Sequence, residues 1–217
     1  MTSTTDTTEI TISALTLRAL LRALLPAVPA TGKDASRPLA QIHLRVSPTY
    51  LVGQGTDGYR LHRLEAPWRA GVVMEPDDGQ AGPRGSWGWT QASSAALVKA
   101  LGGRLDPALT ATISPQRVAL SDGRLIPMVV AEGDFPDTAQ VTPAFEAVRP
   151  TSAVEVSRFN VKYMTEAVEA AHAIGADELD VQPGLTGLDP ALLRAEGGLD
   201  GPCPGAILSA VLMPMRR

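Results

Sequence analysis

Among the 217 residues there is a single cysteine, Cys203. No disulfide can form within the chain, so packing has to supply its stability, and a reducing compartment suits it. Aromatic residues are scarce at 4%, which leaves Leu, Val, Ile and Ala to build the core. No apolar run reaches the ~18 residues of a membrane span. The histidines, His43, His62 and His172, have no metal-ligand spacing. No glycine-rich loop follows a strand in phosphate-binding form; Gly53-Gln-Gly55 reads as strand. Cys203 has no histidine near it in sequence to activate it, and Asp77-Asp78 reads as a solvated loop. These absences predict a non-enzymatic protein with no catalytic residues, no metal site and no cofactor. A net charge of −4 argues against gripping nucleic acid over the whole surface, while permitting a locally basic channel.

What is present is ordinary for a globular chain: 44% apolar and 19% charged residues, in a length that suits one large or two small domains. The start, residues 1–8, is polar and free of Lys and Arg, unlike a signal peptide, and is expected to be a disordered tail.

From residue 9 one pattern recurs. EITIS (9–13) alternates as a strand does, then runs into a helix over about 14–25 that Pro26 and Pro29 stop. AQIHLRV (40–46), YLVGQGT (50–56) and YRLHRLEA (59–66) follow as strands. A breaker-rich linker near 75–85 leads to SWGWT (86–90) and a helix over about 92–101, with Gly102-Gly103 as its stop. LTATIS (109–114), QRVALS (116–121) and LIPMVVAE (125–132) then read as strands separated by Ser-Pro and Asp-Gly turns. A third copy begins with VEVSR (154–158) and a helix over about 160–173. ELDVQP, a weak ALLRAE strand and a final apolar AILSAVLM complete it. Pro214 cannot donate to a ladder, so it must lie at the end of that last strand or on an edge. The repeat is one of pattern, strand–helix–three strands, and not of residue identity.

Four fragments, in order and each at its place in this pattern, carry a resemblance. Thr56-Asp-Gly-Tyr-Arg-Leu61 is one, and Gly133-Asp-Phe-Pro-Asp137 followed by Val141-Thr-Pro143 is the second. Phe159-Asn-Val-Lys-Tyr-Met164 and the closing Met213-Pro-Met-Arg216 are the others. Together they resemble the middle and last domains of the bacterial replicative sliding clamp, the processivity ring of DNA polymerase III. Tyr59 stands where that family usually has His, and Arg217 where a terminal Leu is common.

The resemblance implies an α+β, sliding-clamp-like (DNA clamp) fold: repeated βαβββ units with helices on one face of antiparallel sheets. Residues 9–143 would form one complete clamp-like domain of two units, and 144–217 a third unit, half a domain. The clamp's first domain and the first half of its third would have no counterpart here.

The resemblance also implies a function: a processivity factor that encircles double-stranded DNA without reading sequence, and tethers DNA polymerase, the clamp loader and other proteins with clamp-binding motifs. Its partner-peptide pocket would be walled by Thr56, Gly58, Tyr59, Arg60 and Leu61, with Pro143 at the floor. Met213, Pro214, Met215 and Arg216 would form the other side. Two thioethers, a leucine and prolines make an adaptable apolar cleft, with Arg60 and Arg216 at its rim. Arg60 and Leu61 fit ordinary strand alternation equally well. Arg18, Arg22, Lys99, Arg104, Arg158 and Lys162 lie on or beside the predicted helices, where channel charge would face DNA. Glu166 and Glu169 share the third helix's outer face with Lys162, so a merely solvated face stands beside that reading.

Open sheet edges call for another chain. Twelve units per ring predict a homo-oligomer, a tetramer with first units joined to first and third to third, or a trimer if a fourth unit is hidden. A cytoplasmic, nucleoid-associated protein with no membrane partner follows from the same resemblance. The competing readings are a clamp-like module that does not encircle DNA, sequestering clamp-binding peptides or modulating a replisome, and a small-molecule enzyme on an unrelated α+β scaffold.

Overall fold

The computed structural model describes residues 9–30, 38–68, 84–138, 159–182 and 190–214. Unit one begins with β1 (Ile10–Ser13), which passes directly into α1 (Ala14–Leu24). The Ser13 side chain caps that helix, accepting from the Leu15 N–H at 3.2 Å. Leu17, Leu20, Leu21 and Leu24 are all fully buried, each contributing about 1.5–3 kcal/mol of burial. Proline at the end of this run cannot continue the α ladder, and the chain tightens into a 3-10 turn over Leu25–Ala27. The unit closes with β2 (Gln41–Val46), β3 (Tyr50–Thr56) and β4 (Arg60–Pro67).

Unit two repeats the order: β5 (Gly85–Thr90), α2 (Gln91–Ala100), β6 (Thr110–Ser114), β7 (Arg117–Leu120) and β8 (Leu125–Pro127). The strand expected over 125–132 is divided in the structure. β8 ends at Pro127, and the chain crosses to the other sheet, where Val130 bridges Trp89 and the Ala131 N–H donates to Gly88 O at 2.8 Å. In unit three, α3 (Val161–Ala173) is followed by β9 (Asp180–Gln182), β10 (Ala191–Glu196) and β11 (Ile207–Leu212). The stretch that reads as weakest, ALLRAE, is a full strand with partners on both sides. Its expected leading strand, 154–158, lies outside the described residues, as do most of the linker near 75–85 and the 1–8 tail.

The described residues form two antiparallel sheets, with the orders β1-β6-β7-β8 and β5-β2-β3-β4-β11-β10-β9. The first strands of units one and two are exchanged: β1 joins unit two's sheet and β5 joins unit one's. Unit three then extends unit one's sheet through β4 and β11, six residue pairs from Ile207↔Glu65 to Leu212↔Arg60. The spatial order of units is therefore two, one, three. That order corrects the expected junction of first unit to first unit, because β4's outer edge is already occupied by β11. Among the described residues the outer strands are β1 and β8 of one sheet and β5 and β9 of the other, with β5 bonded along its outer side by residues 129–131.

α1 packs against both α2 and α3, over β3 and β4. Its leucines, with Ile42, Leu44, Leu51 and Leu64 from the sheet, make the main core. A loop from unit three reinforces it: Thr16 Oγ1 donates to Pro202 O at 2.9 Å, and the buried Cys203 Sγ–H donates to Thr16 O at 3.5 Å.

Candidate functional site: a cleft at the β4–β11 junction

Strand alternation sorts β4 into two sets. His62, Leu64 and Ala66 turn toward the helices, while Leu61 turns to the opposite face of the sheet. Across the junction Leu61 stands opposite Val211, and with Leu192 they form a small buried apolar cluster. Beyond β11 the chain adds one more rung, the Met213 N–H donating to Tyr59 O at 3.0 Å. This rung fixes Met213, 38% exposed, beside Leu61, although 152 positions separate them in sequence (213 − 61).

The turn leading into β4 is held by its own side chains. Thr56 Oγ1 donates to Arg60 O at 2.6 Å and accepts from the Gly58 N–H at 3.1 Å. Asp57 Oδ1 accepts from the N–H groups of Tyr59 and Arg60, at 2.9 and 3.1 Å. Gly58 sits at φ +88° with open space around it, so glycine is there for its backbone conformation and not for room.

A third wall comes from unit two. Gln54 Nε2 donates to Thr138 Oγ1 at 2.9 Å in a buried bond, and the Phe135 ring stacks on His43 at 5.0 Å. These contacts lay residues 135–138 across the sheet. The cleft between these walls, about 190 Å³ and open to solvent, is lined by Leu39, Thr56, Gly58, Arg60, Leu61, Pro136, Asp137, Thr138, Val211 and Met213. A second depression of about 270 Å³ shares the Pro136–Thr138 wall and is lined also by His43, Arg45 and Arg63. Burial lowers the His43 pKa below its ordinary value, against the opposing effect of its hydrogen bond with Gln54.

Of the expected pocket residues, Thr56, Gly58, Arg60, Leu61 and Met213 meet in one cleft. Tyr59 does not line it; its side chain is 66% exposed, and its carbonyl holds Met213. Pro214 follows the end of β11, where a residue without an N–H is tolerated. Pro143, Met215 and Arg216 lie outside the described residues.

Arg60 departs most from expectation, because its guanidinium is not a free rim cation. It pairs with Asp57 at 3.1 Å and with Glu166, donates to Pro26 O, and lies over the Tyr163 ring. Glu166 is drawn inward to Arg60 while its other oxygen stays 3.9 Å from the exposed Lys162, and Glu169 remains exposed. Leu39, Pro136, Asp137, Thr138 and Val211 are cleft residues that sequence reasoning did not assign. For Val211 the signal was present, since alternation along AILSAVLM places it on the face opposite Leu208, Ala210 and Leu212.

The expected DNA-facing residues separate into two sets. Arg22, Lys99, Arg104 and Lys162 are exposed. Arg18 is half-buried and caps α2, its Nη1 donating to Leu101 O at 3.0 Å and Gly103 O at 2.8 Å. Arg158 lies outside the described residues.

The chain matches no protein-family model and no curated protein sequence. Solved structures with its architecture do exist. The DNA polymerase III beta subunit of Thermotoga maritima matches with a TM-score of 0.70 at 15% identity, over 100% of this chain and 68% of that one. The fold is that of a bacterial sliding clamp. The Pseudomonas aeruginosa sliding clamp agrees, with a TM-score of 0.65 at 17% identity over 96% of this chain and 66% of its own. So does that of Bacillus subtilis, at 0.66 and 16%, with coverages of 100% and 66%. The chain thus spans about two thirds of the length of each sliding clamp it matches.

Proposed function

We propose that this protein is a shortened sliding clamp, which holds replication or repair proteins on DNA by receiving a short peptide from each in the β4–β11 cleft. The observation that carries this reading is the convergence of Leu61, Val211 and Met213 in that cleft. Residues from two distant parts of the chain are brought together there on the face away from the helices. The lining is apolar apart from Thr56, Asp137, Thr138 and the Arg60 turn, and a thioether at the mouth adapts to partners of different shape. Pro143, Met215 and Arg216 would extend this site, as the family resemblance implies.

The exposed cations Arg22, Lys99, Arg104 and Lys162 would face DNA across the helix layer, contacting phosphates without reading sequence. The engagement of Arg18 with the α2 carbonyls removes one cation from that layer and favours the second reading. In that reading the protein is a clamp-like module that binds the same peptides without encircling DNA. Neither role calls for chemistry at the cleft.

Fluorescence anisotropy with a labelled peptide carrying a Gln-x-x-Leu-Phe-type motif tests the cleft. Binding at micromolar concentration is expected, weakened by about 1–3 kcal/mol in Leu61→Ala, as when a buried anchor is truncated. Equal affinity of wild type and variant would remove the cleft as the peptide site. Retention on circular DNA separates the encircling clamp from the sequestering module.

A further inference from the structure

Polar side chains adjoin the cleft on the sheet face that turns away from the helices. Gln54 lies two positions from Thr56 on β3, and Arg63, its cross-strand partner, two positions from Leu61 on β4. Alternation therefore keeps all four on that face. One repeat farther along, Arg45 on β2 stands opposite Val52 on β3. The depression of about 270 Å³ is built over these residues. Pro136, Asp137 and Thr138 line both it and the cleft. A chain leaving the cleft over Pro136 and Asp137, which are exposed, thus enters the depression directly.

The cations here are not used up as Arg60 is. Arg63 Nε donates to Glu65 Oε1 at 2.9 Å and Nη2 reaches the same oxygen, which leaves Nη1 uncommitted among the described residues. Arg45 is exposed, and no hydrogen bond or ion pair engages it among the described residues. Asp137, the acid on the shared wall, has a contact of its own. His43 adds no charge at neutral pH, since burial lowers its pKa, and its ring supports Phe135. One strand and one repeat separate Arg45 from Arg63, about 12 Å between Cα atoms in a regular sheet. Two arginine side chains close that gap around one small anionic group, over a floor of Val52 and Gln54. The whole chain carries a net charge of −4, so an acidic ligand would be drawn by these donors and not by the molecule's overall field.

We propose that this depression is a second subsite for the partner peptide, taking the carboxylate of an aspartate or glutamate beside the motif. The subsite rests on the peptide reading of the cleft, to which it adds the chemistry of the flank. The rows of Arg63 and Arg45 lie about 7 and 14 Å along the strands from Leu61, and an extended chain advances about 3.3 Å per residue. The acidic residue therefore belongs about two to four positions from the apolar residue that fills the cleft. A planar carboxylate matches the guanidinium fork, which a phenol or an amide does not. Both arginines lie away from the helices, so they are separate from the exposed cations that would face DNA.

Fluorescence anisotropy with three labelled peptides tests the subsite. All share a Gln-x-x-Leu-Phe-type core; one has neutral flanks, one has glutamates before the core and one has them after it. One of the two glutamate peptides should bind the wild type about fivefold more tightly than the neutral peptide, the upper end for a partly exposed ion pair. That advantage should shrink as salt rises. Arg45→Ala, at an exposed position, should bind this glutamate peptide and the neutral one alike, and Arg45→Glu should prefer the neutral one. No advantage on either flank, an equal advantage on both, or an advantage that survives in Arg45→Ala would overturn the subsite. A neutral peptide that binds while glutamate adds nothing removes the subsite and leaves the cleft standing. Failure of all three to bind the wild type would overturn the proposed peptide site and the subsite together.

Discussion

The guanidinium carbon of Arg60 stands 4.2 Å from the centre of the Tyr163 ring. Arg60 opens β4 of unit one, and Tyr163 belongs to α3 of unit three, so this contact spans the junction that carries the cleft. The same guanidinium pairs with Asp57 and Glu166 and donates to Pro26 O. A planar cation with several fixed donors suits that task, and a lysine could not serve all these partners at once. Arg60 is best described as the bracket that holds unit three against unit one beneath the cleft wall.

Replacing Arg60 should therefore act on stability before it acts on binding. Arg60→Ala leaves Glu166 with only the exposed Lys162, 3.9 Å away, and Asp57 without its pair; it is expected to cost about 3 kcal/mol, as when one half of a buried pair is removed. Chemical denaturation measures this. Arg60→Lys should recover only part of the loss, because it keeps the charge without the planar fork. A loss below about 0.5 kcal/mol, the range of ordinary surface substitutions, would mean that the bracket has no structural weight.

His62 predicts a pH dependence. It is fully buried on the helix side of β4, with Nδ1 donating to Ala23 O at 2.8 Å. Burial pushes its pKa from 6.5 down to about 4, with the nearby Arg60 adding to the effect and the Ala23 carbonyl and Asp57 opposing it. The folded protein keeps this imidazole neutral while the unfolded chain protonates it near 6.5. Stability should therefore be complete above pH 6.5, fall as pH drops toward about 4, and level off below. The gap corresponds to about 3 kcal/mol. His62→Phe should begin less stable, having lost the hydrogen bond, but show a flatter profile across that window. A variant with the wild-type slope would assign the pH dependence to other groups.

Much of this fold is legible in the sequence, because burial on one face imposes a period. The leucines of α1 at helical spacing and the alternation in AQIHLRV and YRLHRLEA mark elements that the structure contains within a residue or two. Alternation, however, says which face of a strand is buried and not which strand lies beside it. The β4–β11 pairing, and with it the order two, one, three, is a non-local choice that no local pattern records. The division of residues 125–132 between two sheets was hidden for a related reason, since Leu-Ile-Pro-Met-Val-Val reads as one apolar run. Arg60 looked like a surface cation because its partners Tyr163 and Glu166 lie about a hundred positions away. Leu61 and Met213 were visible as cleft residues only through resemblance. Pro136 and Thr138 reach the cleft through the Gln54 and His43 contacts, which sequence does not display.

The two glycines of β3 should differ on substitution by alanine. At Gly55 a Cβ would stand 3.0 Å from the Leu24 carbonyl oxygen and 2.7 Å from Val28 Cγ2, and the backbone atom cannot swing aside. Gly55→Ala should therefore cost about 1–3 kcal/mol, the usual penalty of overpacking. At Gly53 the closest atoms are the Leu24 and Leu20 methyls, at 2.5 and 3.2 Å. Those side chains can change rotamer, so Gly53→Ala should be the milder variant. Thermal or denaturant unfolding of the pair settles the order, and the reverse order would show that the helix layer is more rigid than the sheet's approach to Val28.

Cys203 should be inert in the folded protein. Burial pushes its pKa up to about 12, and the thiol donates to Thr16 O inside the loop that packs on α1. A chromogenic thiol reagent should thus react at a rate limited by local opening, and rapidly once denaturant is added, since the thiolate is the reactive form. Fast labelling under native conditions would mean that the 200–205 loop leaves α1 readily.

Contact with DNA must be tested without disturbing the fold, and the structure dictates which cations to change. Arg18 caps α2, so Arg18→Glu would damage the helix pair and confuse lost binding with lost structure. Arg22 and Lys99 are exposed and have no such duty among the described residues. A double variant, Arg22→Glu with Lys99→Glu, should keep the wild-type unfolding midpoint within a few degrees and keep its peptide affinity. If these side chains touch phosphates, each lost contact lowers the magnitude of the log–log salt slope by about 0.9 for duplex DNA. Affinity measured across a salt series therefore counts the contacts removed, which a single binding constant cannot do. A slope unchanged between wild type and variant would mean that the α1–α2 layer does not face DNA. A wild type with no salt-dependent binding at all would favour the sequestering module over the encircling clamp.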